Sequence, residues 1–96
     1  MNLDIKDAAA GGLFQARSID ISRGGIGFFS PKFIPTGAHL RIGIHIFAGG
    51  KDHVTNVSAT VMRATADTGG AIIGAAFDTL LSPAAQPLLC EYMDSR

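Results

Sequence analysis

A strict alternation of large aliphatic and other residues in the middle of the chain constrains the fold more than any other feature. The residues between the aliphatic positions are Arg41, Gly43 and His45, and the aliphatic positions are Leu40, Ile42, Ile44 and Ile46. Successive side chains of a β-strand point to opposite faces, so a two-residue period is typical of a strand with one buried face. The pattern predicts a strand over residues 40–47.

Glycines divide the rest of the chain into further short strands. Twelve glycines, several of them in pairs, separate short runs of β-branched residues, which is typical of an all-β barrel or sandwich. Turns are predicted at Gly11-Gly12, at Gly49-Gly50 and over residues 67–70. With the strand at 40–47, the predicted strands make about six, and the others are residues 2–6, 13–21, 26–29, 54–63 and 72–77.

Helical spacing appears near the C-terminus. Leu88 with Tyr92, and Leu89 with Met93, lie four positions apart and would share one side of a helix. The helix begins either after Ser82-Pro83 or with Pro87 at its first position, in which case it is short and ends near residue 93. Its apolar side is either core or a docking surface for a partner or a second copy of the chain. A thiol there, Cys90, is predicted to be buried.

Length and charge limit the classes of function. Ninety-six residues fit one domain over residues 1–96, with 47% hydrophobic residues to form a core. Eight basic residues balance eight acidic ones, so no basic excess favours nucleic acid or an anionic membrane. No apolar run is long enough for membrane insertion, and Asp4, Lys6 and Asp7 interrupt any signal peptide. One cysteine agrees with a reducing compartment. These features predict a cytoplasmic protein.

A polar motif follows the second predicted strand. Residues 20–25 read Asp-Ile-Ser-Arg-Gly-Gly, an Asp-x-Ser-x-x-Gly string, and a short apolar strand comes next. This resembles the second signature of PilZ domains. Three further segments occur in the family's order: Pro35-Thr36-Gly37, Ala59-Thr60-Val61-Met62-Arg63 in place of "G-x-V-V-R", and Ile73-Gly74-Ala75-Ala76-Phe77 in place of "I-G-I-x-F". The resemblance covers residues 19 to 81.

The resemblance implies both a fold and a function. PilZ domains are six-stranded antiparallel β-barrels with a C-terminal helix, they catalyse nothing and use no cofactor, and many bind the bacterial second messenger cyclic di-GMP. It implies that Asp20 and Ser22 contact a guanine edge or ribose, because a carboxylate accepts guanine N–H donors and a hydroxyl bonds in either sense. Gly25 would let the backbone turn close to the ligand. The predicted ligand-binding set is Asp20, Ser22, Arg23, Gly24 and Gly25.

The family's other signature, Arg-x-x-x-Arg, is not found in this sequence. Arg17 is the one arginine before Asp20, so an arginine loop of the family's type would have to precede Met1. Losing two charge-assisted contacts would weaken binding by roughly several hundredfold. Two hypotheses follow: a cyclic di-GMP receptor with weakened affinity, or a degenerate PilZ-type adaptor that contacts proteins, as the type IV pilus members of the family do.

Two other motifs suggest enzymes or metal sites. Asp67-Thr68-Gly69 matches the catalytic triplet of aspartic proteases, but too little chain follows it for that fold, and a turn between strands explains the same residues. Three histidines, His39, His45 and His53, match no metal-ligand spacing and are predicted to lie at the surface. No catalytic residue and no metal site is predicted.

Overall fold

In a computed structural model, residues 1–8 and 11–94 are described, and they form a closed antiparallel barrel with a short helix. The elements are β1 (Asn2–Asp7), β2 (Leu13–Ile21), β3 (Gly25–Ser30), β4 (His39–Ala48), β5 (Lys51–Asp67), β6 (Gly70–Phe77) and α1 (Pro87–Asp94). Around the barrel the strands follow the order β1-β2-β3-β6-β5-β4, with β4 pairing back onto β1. The predicted six-stranded all-β fold with a C-terminal helix is confirmed.

The alternation in β4 places its aliphatic side chains in the core. All four are at most 4% exposed, and they are Leu40, Ile42, Ile44 and Ile46. Between them, Arg41 is exposed, Gly43 is buried against side chains of β1 and β5, and His45 is half-buried. The prediction for the buried face is confirmed. His45, which was predicted to lie at the surface, is half-buried.

The longest strand, β5, extends beyond the apolar pattern at both ends. The predicted strand covers residues 54–63, whereas the observed one is Lys51–Asp67. Gly49 and Gly50, with φ of 60° and 77°, form a two-residue turn that aligns Ala48 with Lys51 and continues the ladder through polar residues. Hairpin pairing is a property of the backbone, so the polar composition of residues 51–53 does not reveal it.

The C-terminal helix follows the second of the two predicted starts. It begins at Pro87, whose missing N–H costs nothing in the first turn. A turn precedes it, in which the Gln86 N–H donates to the Ser82 carbonyl oxygen at 2.7 Å. Leu89 and Cys90 are buried, which confirms the buried thiol. None of the helical residues that the structure describes forms a segment long and apolar enough to span a bilayer.

A histidine and two aspartates join three strands on the outer face of the barrel. His45 of β4 places Nε2 at 2.6 Å from Asp4 Oδ2 on β1, and Nδ1 at 2.8 Å from Asp52 Oδ2 on β5. A carboxylate accepts hydrogen bonds, so both ring nitrogens donate when the imidazole is protonated. The hydrogen bonds with Asp52 and then with Asp4 raise the pKa of His45, against a smaller opposing effect of burial. The protonated histidine therefore stabilises the closure of β1 onto the β4–β5 hairpin.

We expect this arrangement to make the stability of the barrel depend on pH. Because folding raises the pKa of His45 above its ordinary 6.5, its contribution is complete below pH 6.5 and is lost as the pH rises through the folded-state pKa. Urea unfolding between pH 5.5 and 8.5 should show this fall in the unmodified protein and a smaller one in His45→Gln. The same pH dependence in both proteins would contradict the assignment.

Candidate functional site

A tight turn connects β2 to β3 and contains much of the Asp-x-Ser-x-x-Gly motif. We call residues 22–25 the β2–β3 turn. The Ser22 N–H donates to the Gly25 carbonyl oxygen at 2.9 Å, and the Gly24 N–H points to Ser22 Oγ at 3.4 Å. The hydroxyl of Ser22 thus helps to close the turn, while its side chain remains exposed.

The first residue of the motif projects from the strand just before this turn. Asp20 pairs with Gly27 of β3, and its carboxylate lies over that glycine: a Cβ added to Gly27 would fall 2.6 Å from Asp20 Oδ1. The carboxylate is exposed and, among residues 1–8 and 11–94, has no hydrogen-bond or ion-pair partner. Because Gly27 has no side chain, the carboxylate of Asp20 can lie over its backbone on the outer face of the barrel.

Two glycines form the floor of a groove whose walls carry opposite charges. Asp20 is paired with Gly27, Gly27 with Gly74 on β6, and Gly74 with Arg63 on β5. Three steps between neighbouring strands, each about 4.8 Å, separate the two charged residues by roughly 14 Å along the sheet. The lining residues enclose about 640 Å³, within the usual range of small-molecule sites. We call this space the glycine-floored groove.

Two β-bulges build the walls of this groove. The pairing of β2 with β3 shifts between Ser18 and Asp20, and that of β5 with β6 shifts between Val61 and Arg63. Each bulge adds one residue, so that an apolar side chain and a charged one are exposed in succession. The added residues are Ile19 and Met62, which are 59% and 65% exposed.

The structure brings most of the predicted site residues together. Four members of the predicted set line the glycine-floored groove, and they are Asp20, Ser22, Gly24 and Gly25. Arg23 does not line it, because its guanidinium is paired with Asp94 at 3.2 Å.

Three further residues that line the groove are not in the predicted set, and they are Arg63, Gly27 and Gly74. Arg63 lies in a segment that the family resemblance had already located, but its place opposite Asp20 depends on the bulge at Met62. The alternation over residues 57–61 assigns the position of Arg63 to the core, and a charged residue at such a position is a sequence signal of this bulge.

The groove fits an elongated polar ligand with different ends. The carboxylate of Asp20 accepts N–H donors at one end, and the guanidinium of Arg63 donates to an anion at the other. Arg63 has no hydrogen-bond or ion-pair partner in the described part of the chain. Glycines between them leave the backbone open to a planar group. Within the described ranges, no three His, Cys, Asp or Glu side chains are grouped to hold a metal ion.

The remaining sequence motif is a turn. Asp67 ends β5 and Gly70 begins β6, and the Thr68 N–H donates to Asp67 Oδ1 at 2.7 Å. Gly69 has a φ of 79°, which favours glycine in this position. The interpretation of Asp-Thr-Gly as a connection between strands is confirmed.

Comparison with known proteins identifies a family model and a structural neighbour. The sequence model of the PilZ domain matches residues 1–94. A solved structure of the Bacillus subtilis inhibitor of motility, MotI/DgrA, superposes with a TM-score of 0.75 at 18% sequence identity, covering 98% of this chain and 46% of that one. The chain thus spans less than half the length of that protein, and the likeness concerns the fold. No curated protein sequence matches.

The packing of the site glycines leads to a prediction on stability. A Cβ at Gly25 would meet the Ala75 carbonyl oxygen at 2.6 Å, and this backbone atom cannot move aside without disturbing β6. A Cβ at Gly74 would meet Arg63 Cβ at an ordinary 3.8 Å. In urea unfolding, Gly25→Ala should therefore lose about 1–3 kcal/mol, whereas the matched Gly74→Ala should change stability by less than about 1 kcal/mol. Equal losses would mean that the close approach of β3 to β6 is misplaced.

Proposed function

The chain belongs to the PilZ domain family, whose members are non-catalytic receptor and adaptor domains, and we propose that it is a receptor for cyclic di-GMP. We place the ligand in the glycine-floored groove. The observation that supports this most strongly is a pair of opposite charges, Asp20 and Arg63, on either side of Gly27 and Gly74. Neither charge has a partner among the residues that the structure describes.

The proposed binding mode assigns one role to each wall of the groove. A guanine edge offers N–H donors, which the carboxylate of Asp20 accepts. A phosphate of the ligand binds the guanidinium of Arg63, whose planar fork and permanent charge suit phosphate oxygens. A base lies over the glycines with one face towards them, and the exposed side chains of Ile19 and Met62 flank it from the two walls.

One arginine in the groove is few for a ligand with two phosphates. Each charge-assisted hydrogen bond contributes about 1.5–3 kcal/mol, and the Arg-x-x-x-Arg signature does not occur in this sequence. We therefore propose weak binding by residues 1–96 alone.

The position of the N-terminus suggests where further arginines would act. The Met1 ammonium is 3.0 Å from Ser18 Oγ, and the Ser18 N–H donates to the Met1 carbonyl oxygen at 3.0 Å. Any segment joined to Met1 would enter beside Ser18, two residues from Asp20. An arginine-bearing segment at that place would supply the missing cations to the groove.

A second candidate function is supported by the apolar walls. Ile19, Met62 and Ile72 are 59%, 65% and 42% exposed along the groove, which suits a protein partner at least as well as a nucleotide. In that case the domain is an adaptor. For either function we propose a cytoplasmic location, and motility as the output, since the structural neighbour is an inhibitor of motility.

Calorimetric titration with cyclic di-GMP tests the binding mode. Asp20→Ala and Arg63→Ala should each weaken binding about tenfold or more, because each removes a charge-assisted contact. Arg41→Ala is the matched control, since Arg41 is an exposed arginine on β4 that does not line the groove, and it should bind like the unmodified protein. If both groove variants bind cyclic di-GMP as tightly as the unmodified protein, the ligand does not bind in this groove. No binding by the unmodified protein at millimolar ligand would favour the adaptor.

A fusion protein tests the need for more arginines. An Arg-x-x-x-Arg segment joined directly before Met1 should tighten binding by about a hundredfold, and a matched Lys-x-x-x-Lys segment should give less, because lysine lacks the planar fork. If the arginine fusion binds no better than residues 1–96, the added segment does not reach the groove.

A further inference from the structure

We propose that Arg23 is a positioning residue, which ties the β2–β3 turn to α1 through Asp94 and so makes the conformation of this turn depend on the helix. The inference rests on the proposed function for its effect on ligand affinity. Its effect on the turn itself is independent of any ligand.

The ion pair joins two parts of the chain that are distant in sequence. Arg23 Nη2 lies 3.2 Å from Asp94 Oδ2 and 3.3 Å from Asp94 Oδ1, across a separation of 71 residues. Ser22 and Gly24, on either side of Arg23, line the glycine-floored groove, but Arg23 does not. The guanidinium is therefore directed to the helix and not to the proposed ligand.

Backbone hydrogen bonds connect the same turn to the segment that leads to the helix. The Arg23 carbonyl oxygen accepts from the Leu81 N–H at 2.8 Å, and the Gly24 carbonyl oxygen accepts from the Phe77 N–H at 2.9 Å. Leu81 is 3% exposed. These two bonds fix the backbone of the turn against residues 77–81. The ion pair adds a contact between the helix and Arg23, the one charged side chain of the turn.

The electrostatics of α1 explain why Asp94 needs a cation. Asp94 is the last residue of the helix, where the partial negative charge of the carbonyl groups disfavours a carboxylate. The last turn of α1 contains no basic residue of its own. Arg23 supplies the missing positive charge, while Leu89 and Cys90 anchor the helix in the core. Movement of α1 would therefore be transmitted to the turn.

The size of the effect is limited by exposure. The two side chains are 45% and 63% exposed, and exposed ion pairs commonly change an equilibrium by no more than about fivefold. Salt should reduce the effect, because exposed charges are screened.

The test compares single substitutions with an exchange of the two charges. Arg23→Gln and Asp94→Asn should each weaken cyclic di-GMP binding by about two- to fivefold and accelerate amide hydrogen exchange at Leu81. The double variant Arg23→Asp with Asp94→Arg should restore both toward the unmodified values. Glu91→Gln, which removes an exposed carboxylate from the same helix, is the control and should change neither.

Each outcome decides between separate explanations. If Arg23→Gln weakens binding and Asp94→Asn does not, Arg23 contacts the ligand directly and the inference is wrong. Unchanged exchange at Leu81 in both single variants also overturns it. If the unmodified protein binds no cyclic di-GMP, the proposed function fails. The amide hydrogen exchange at Leu81 then still decides whether the ion pair positions the turn, because it should be faster in the single variants and slower again in the double variant.

Discussion

The pairing of β1 with β4 closes the sheet into a barrel, and this closure fixes the positions of the other four strands. Leu3 opposite Ile44 and Ile5 opposite Ile42 bring four fully buried side chains together at this seam. Among the described residues, closure gives each of the six strands two neighbouring strands. It also holds β2, β3, β6 and β5 side by side, and the glycine-floored groove lies on their outer face. On the opposite side of the barrel, His45 and its two aspartates reinforce the seam.

The proposed site arises from departures from regular pairing within that closed sheet. Without the bulges, strict alternation would place Ile19 and Met62 at the positions opposite Gly27 and Gly74, and the charged residues after them would face the core. The added residue in each strand instead exposes Asp20 and Arg63. Glycine at the two positions between them keeps the backbone free of side chains. The same local irregularities thus account for both the charges and the open floor.

Much of the fold was predictable because burial leaves a clear periodic pattern in this sequence. The alternation around Ile44 gave β4, and the glycine pairs gave the turns, since both follow from local chemistry. The ends of β5 were not predictable, because the turn at Gly49-Gly50 extends pairing through polar residues. At the site, the motif from Asp20 to Gly25 located one wall. The place of Arg63 in the site also depended on the pairing of β3 with β6, and no local pattern reveals that pairing.

A titration of the isotope-labelled protein with cyclic di-GMP, followed through its backbone amide NMR signals, shows whether the ligand binds in the glycine-floored groove. This method detects millimolar binding, which suits a groove with one arginine. Binding in the glycine-floored groove should give the largest shifts at Gly27 and Gly74, with smaller ones at Asp20 and Arg63, and little change around His45 on the other side of the barrel. Shifts concentrated around His45, with Gly27 and Gly74 unchanged, would contradict it.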